Sequence, residues 1–339
     1  MAAQGSVLAH SAFTSPGGVG AEIGDQLDST KVLERFADGA TLVLQGLHRT
    51  WEPIARFTRE LVSDLGHPVQ VNAYITPDSS RGFDPHYDTH DVFIIQIAGA
   101  KRWTIHEPVH RHPLPSQPWT DQRDAVAARA QEEPTIDAVF EPGDVLYLPR
   151  GWLHSAVAQG GTSIHLTLGV RATTRHDLLL TLMADAGQDE ELRRPLALGL
   201  DYTDPEALSP DLHATLAAAR AHLDAAEPET LGRAMQESFA DAARPGPVRP
   251  LATLDVMEDL SESSAIGWRD SLRAQVRDED ETVRIDLGTK VVSLPAEASA
   301  AVHALRTGDQ QAGSLPGLDR ESSLVVARRL LREGIVVPR

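Results

Sequence analysis

The stretch DPHYDTHDVFIIQIAGAKRW (residues 84–103) carries two histidines and three aspartates in its first ten positions, then runs on through apolar and β-branched residues. His86 and Asp88 stand two residues apart, so on an extended backbone their side chains leave one face and can reach one ion. Two donors do not complete a site, and a lone H-x-D pair is as readily a solvated turn. The third donor is sought in EPGDVLYLPRGWLH (141–154), where a Pro-Gly-Asp turn, an apolar strand and a Gly-Trp turn lead to His154.

Working outward, the segments TLVLQGL (41–47), VQVNAYIT (69–76), DVFIIQIAG (91–99), KRWTIHEP (101–108), VLYLP (145–149) and TSIHLTLGV (162–170) read as short strands bounded by Gly, Pro and Asp. TWEPIARFTRELVSDLG between the first two has helical periodicity and a glycine stop at Gly66. Many short strands without βαβ alternation point to a sandwich or jelly roll. Beyond residue 172, TTRHDLLLTLMADAG, SPDLHATLAAARAHLDAA and PETLGRAMQESFADAA read as Ala/Leu-rich helices, and ARPGPVRPL (243–251) as a linker. The last block, from about 282, has the order strand, helix, turn, helix, closing strand of a small winged-helix-like unit. The expected domains are 1–172 (a β-rich domain with an N-terminal extension), 173–250 (helical) and 251–339 (linker plus winged-helix-like domain).

Composition narrows the function classes. The absence of cysteine excludes disulfides, thiolate zinc sites, iron–sulfur clusters and thiol nucleophiles, so a metal must be held by His, Asp, Glu or water. A net charge of −18 disfavours loose nucleic-acid binding and suits a basic partner. In residues 282–339 eight Lys and Arg face six Asp and Glu, so the terminal unit lacks the basic stripe that phosphate contacts need. No long apolar run suggests a membrane span, and the N-terminus has no basic residue before Lys31 and no apolar signal core, so a cytoplasmic protein is expected.

Two imidazoles and one carboxylate form the facial set that leaves open positions for a cosubstrate and O2 on non-haem Fe(II). HYDTHDVFIIQIAGAKRW followed by EPGDVLYLPRGWLHSA and SIHLTLGV resembles the JmjC-domain cupins, and most of all the ribosomal oxygenase group of Fe(II)- and 2-oxoglutarate-dependent protein hydroxylases. The resemblance implies a mostly β double-stranded β-helix (a jelly roll of the cupin/JmjC kind), followed by an α-helical dimerisation segment and a C-terminal winged-helix-like domain. It makes His86, Asp88 and His154 the iron ligands, with no catalytic side chain beyond the metal centre. Lys101 falls where the family places a cation for the distal carboxylate of 2-oxoglutarate, and a dianion in a partly apolar barrel does need a fixed positive charge.

Asn72 and Tyr74 fall where family members line the cosubstrate pocket. On the last strand Ser163, His165 and Thr167 share a face, and Thr167 is assigned a contact to 2-oxoglutarate. The loop TPDSSRGFDP, with Asp78, Arg81, Phe83 and Asp84, should border the substrate entrance, where His90 is also expected. His106, His110 and His112 read as residues of a surface loop, and Trp119 and Trp152 as packing residues of the barrel rim.

The implied reaction is hydroxylation of an amino-acid side chain, Arg or His in a ribosomal or other basic protein, by a homodimer using Fe(II), 2-oxoglutarate and O2. The same chemistry on a peptide or small-molecule intermediate of secondary metabolism is the alternative. A non-catalytic metal- or ligand-binding cupin module would not need Lys101, and a cupin sugar isomerase would draw on more histidines and a Glu.

Overall fold

The computed structural model describes residues 1–339 except 4, 5, 21, 82 and 185, and for residue 241 the backbone alone. The chain divides into two compact units, Met1–Ala172 and Thr173–Arg339.

The first unit is built on a six-stranded antiparallel sheet: β1 (Leu42–Leu44), β2 (Val69–Thr76), β3 (Asp91–His106), β4 (Ile136–Phe140), β5 (Val145–Leu148) and β6 (Leu153–Val170). Its order is β1-β2-β6-β3-β4, with β5 also pairing on β3. The alternation of VQVNAYIT is used on both faces. Val69 and Val71 join Leu168 and Val170 in a core against which Ile54, Leu61 and Val62 pack, three residues of the helix Glu52–Leu65. That helix stops where Gly66 takes a left-handed conformation, φ 68°, which a glycine adopts without steric cost. The opposite face of the sheet is left for the pocket described below.

β3 departs from the sequence expectation of two strands, because it runs unbroken for 16 residues through Gly99. Strict alternation fails inside it: Val92, Ile94 and Gln96 are buried on even numbers, then Lys101, Trp103 and Ile105 on odd ones. β6 makes the same change, from His154 and Ala158 to Ser163 and His165, across a register irregularity between Gln159 and Ile164 that contains Gly160 and Gly161. The two breaks lie side by side. Gly99 has φ 61°, and a Cβ there would stand 2.2 Å from the Thr162 carbonyl oxygen, so only glycine allows the strands to approach at this level. The shift turns Lys101 and Trp103 inward beside Val92 and Ile94.

Two further differences arise in β3 and its neighbour. His106 is not a surface residue: it closes β3, is buried, and its Nε2 lies 3.2 Å from the Glu132 carbonyl oxygen. The strand β4, which sequence reading passed over, pairs with β3 from Ile105↔Ile136 to Lys101↔Phe140.

In the second unit the three expected helices occupy Arg175–Ala184, Ser209–Asp224 and Pro228–Ala242, with a fourth, Pro250–Glu258, beginning inside the presumed linker. A separate apolar core holds Val283 and Ile285 of the strand Thr282–Asp286, Val292 and Leu294 of its hairpin partner Val291–Pro295, and the inner faces of the helices Ser299–Thr307 and Arg320–Arg332. The closing strand Val336–Pro338 pairs with Ala265–Trp268. Among the described residues no helix is long and apolar enough to cross a membrane.

Gly99→Ala should cost about 3 kcal/mol, since it adds a clash to a left-handed backbone. Gly160→Ala, with φ 67° but open surroundings, should cost about 1 kcal/mol. Urea denaturation of the two variants tests the difference.

Candidate metal centre

His86 lies in the segment leading to β3, and His154 is the second residue of β6. An isolated antiparallel bridge joins them: the His154 N–H donates to the His86 carbonyl at 2.8 Å, and the His86 N–H to the His154 carbonyl at 3.2 Å. The Gly151 N–H donates to the Asp88 carbonyl at 3.0 Å, which ties the third residue to the same turn. One ligand atom from each of His86, Asp88 and His154 lies within 4.8 Å of the others.

Both rings are oriented from behind. His86 Nδ1 is 2.7 Å from the Asp84 carbonyl oxygen, and His154 Nδ1 is 3.2 Å from that of Trp152. Each Nδ1–H is thereby donated to backbone and the Nε2 lone pair is left for a metal. Burial, and secondarily the neighbouring His86, hold the His154 pKa well below the usual histidine value, so the ring is the neutral ligand form at pH 7. Two imidazole nitrogens and a carboxylate oxygen, converging beside a cavity, fit a divalent first-row metal with open positions.

That cavity measures about 270 Å³ and is lined by all three ligands, Thr41, Tyr74, Phe83, Asp84, Lys101, Trp103, Trp119, His165 and Thr167, among others. Lys101 is 4% exposed. Its Nζ donates to Thr76 Oγ1 at 3.1 Å, it stands 5.8 Å from the Trp103 ring centroid, and among the described residues no carboxylate pairs with it. Burial lowers its pKa to about 8. An unpaired buried ammonium is costly, so the site is built to receive an anion. Tyr74 stacks on His165, centroids 4.9 Å apart and planes 5° from parallel, and Trp103 meets the same imidazole edge-on at 5.3 Å. Burial, followed by Asp88, pushes the Tyr74 pKa up to about 12, so it remains a neutral phenol.

Of the residues singled out in the sequence, Tyr74, Phe83, Lys101 and Thr167 line the cavity with the ligand triad. Asn72 does not: its Oδ1 accepts the Gly46 N–H at 3.0 Å. Asp78 and His90 are also absent from the lining; Asp78 is exposed, and the His90 ring packs over Gly169, where an added Cβ would meet it at 2.7 Å. Arg81 stands outside the cavity and pairs with Asp84, Nη2 to Oδ1 2.9 Å. Asp84, expected on the entrance loop, lines the cavity; sequence reading missed Thr41 and Thr76 and took Trp119 for rim packing. Thr76 could have been found, since it is two residues beyond Tyr74 on one strand face.

Residues 47–178 match the JmjC domain family. Human ribosomal oxygenase 1 is 36% identical over 157 residues, covering 44% of this chain and 24% of that protein. The bifunctional lysine-specific demethylase and histidyl-hydroxylase NO66 of Drosophila erecta is 42% identical over 117 residues, covering 34% and 17% respectively. The match thus spans about a quarter or less of the length of these relatives. The crystal structure of the Escherichia coli ribosomal oxygenase YcfD superposes with a TM-score of 0.50 at 19% identity, over 88% of this chain and 78% of that one, a likeness of fold. The first unit has the JmjC/cupin fold with a β-sheet core.

The Lys101 shift has a pH signature. Between about pH 8 and 10.5 the unfolded chain holds more protons at this lysine than the folded one, so stability rises with pH across that window. A bound dianion stabilises the charged form, so dicarboxylate binding should take up a proton above pH 8 and weaken by up to about tenfold per pH unit. Calorimetry in buffers of different ionisation enthalpy measures that uptake, which Lys101→Met should abolish.

Proposed function

We propose that this chain is an Fe(II)- and 2-oxoglutarate-dependent oxygenase that hydroxylates an amino-acid side chain, Arg or His, in a ribosomal or other basic protein. The observation that carries the reading is the pairing, in one cavity, of a His-Asp-His triad with a buried ammonium that has no acidic partner among the described residues. The matched relatives carry the names ribosomal oxygenase and histidyl-hydroxylase, which support a protein side chain as substrate.

His86, Asp88 and His154 would hold the iron. When bound, the iron supplies the oxidising power: O2 and 2-oxoglutarate are consumed, one oxygen atom enters a C–H bond of the substrate, and succinate and CO2 are released. Lys101 anchors the distal carboxylate of 2-oxoglutarate by charge and hydrogen bond, and Thr76, which already accepts from its Nζ at 3.1 Å, holds the ammonium in place. Thr167 and the neutral phenol of Tyr74 border the same space and supply hydroxyl groups to the cosubstrate. Trp103, Val92 and Ile94 exclude water from it.

The domain assignment that goes with this reading is 1–172 catalytic, 173–250 helical and 251–339 linker plus a winged-helix-like domain, with two copies pairing through the helical segment. Exposed leucines at 179, 180, 212 and 216 on its helices support pairing. A homodimer acting in the cytoplasm is the assembly proposed.

Anaerobically iron-loaded protein, given 2-oxoglutarate and then O2, should release succinate. His86→Ala should abolish release, and Lys101→Ala should restore it only at 2-oxoglutarate concentrations about tenfold to a hundredfold higher. Binding of 2-oxoglutarate without turnover, with basic peptides present, would favour a ligand-binding module; no binding at all would overturn the oxygenase reading.

A further inference from the structure

The cavity is electrically polarised. Among its lining residues the one Lys or Arg is Lys101, buried at 4% exposure, while the carboxylates are Asp84 and Asp88. Asp88 belongs to the triad. Asp84 has no such task for its side chain, although its carbonyl oxygen is fixed by His86 Nδ1 at 2.7 Å. The backbone at Asp84 is thereby held while its carboxylate is about half exposed, with Phe83 next to it in the chain; the Phe83 ring is 5.6 Å from the His86 ring and edge-on to Tyr74 at 6.4 Å. Trp119 also lines the cavity, 6.3 Å from the His86 ring.

Two guanidinium groups of the chain already occupy these surfaces. Arg81 Nη2 is 2.9 Å from Asp84 Oδ1, and the Arg123 guanidinium lies 5.1 Å from the Trp119 ring centroid. The Arg81–Asp84 pair is open to solvent on both sides, the kind of ion pair that exchanges partners readily. A carboxylate and aromatic faces together are the chemistry that recognises a planar cation.

We propose that Asp84 determines substrate specificity: it receives a guanidinium of the substrate chain, which displaces Arg81, and Arg81 acts as an intramolecular competitor for that position. This rests on the oxygenase reading above and adds to it the residue that selects the substrate. Asp84 acts at binding, since it is not one of the three residues whose donor atoms cluster for a metal and its carboxylate pairs with Arg81. The separation of charge, with Lys101 buried in the cavity and Asp84 half exposed on its lining and paired with Arg81 outside it, orients a dianionic cosubstrate and a cationic substrate in opposite senses.

The test uses the full chain loaded with Co(II) and 2-oxoglutarate, with tryptophan fluorescence as the signal. The probes are Nα-acetyl-arginine methylamide and its isosteric neutral citrulline counterpart, at low salt. Wild type should bind the arginine compound about tenfold more tightly than the citrulline one. Asp84→Asn should erase that preference, and Arg81→Gln should tighten the arginine compound about threefold while leaving the citrulline one unchanged. Equal affinity of wild type for the two compounds, no arginine binding, a preference that survives Asp84→Asn, or weaker arginine binding in Arg81→Gln would each overturn the proposal. Circular dichroism checks folding, and Arg81→Gln keeps the test decisive if Asp84→Asn fails to fold. The cobalt absorption band reports 2-oxoglutarate binding in the same samples. Its failure to respond would refute the oxygenase reading, whereas a normal response without arginine preference would refute only the role of Asp84.

Discussion

The pair of backbone hydrogen bonds between His86 and His154 is the constraint on which the site depends. Sixty-eight positions separate the two residues in sequence, yet their N–H and C=O groups satisfy each other directly. The bridge fixes the distance between two ligands before any ion arrives, and the carbonyls of Asp84 and Trp152 fix how the rings are turned. The histidine geometry is thus a property of the folded backbone. A metal entering such a site loses water but orders little protein, which concentrates its binding free energy on coordination.

The sheet supplies the rest by giving its two faces different work. Val69, Val71, Leu168 and Val170 form an apolar core, while Tyr74, His165, Lys101 and Trp103 close around the cavity. Burying Lys101 without a carboxylate opposes folding, and the apolar packing elsewhere must offset it. Natural folds tolerate this kind of local conflict where a ligand resolves it.

Much of this was legible in the sequence. VQVNAYIT is a strand over the whole expected span, Glu52–Leu65 stops at Gly66 as its pattern requires, and the spacing of His86 and Asp88 places both donors at one site. Local periodicity carried those readings. It could not carry β3, because a strand that changes its inward parity at Gly99 looks like two strands with a turn between them. Asn72 shows a second limit: alternation assigns a residue to a face, but the Gly46 N–H took its carboxamide, and that partner lies 26 positions away. His106 was read as loop because HEPVHRHPLP is rich in polar and breaking residues, whereas pairing with Leu153 across the sheet makes it the end of a strand. Thr41 escaped attention because a threonine next to a short strand has no distinguishing pattern until its neighbours are known.

The paired breaks at Gly99 and at Gly160–Gly161 act as a phase shifter along the barrel wall. On either side of the break in β3 the buried residues mostly alternate, Val92, Ile94 and Gln96 before it and Lys101, Trp103 and Ile105 after it, and the offset between the sides decides which residues see the cavity. The connection between β3 and β4 leaves that offset untouched, although it carries Trp119 to the cavity and buries Val126 against Tyr87 and Leu153. A single-residue insertion between Gln96 and Lys101 would instead carry the ammonium to the outer surface while preserving composition and hydrophobic content. The position of the ammonium thus depends on the reading frame of β3 between Gln96 and Lys101, and on no local feature of Lys101 itself.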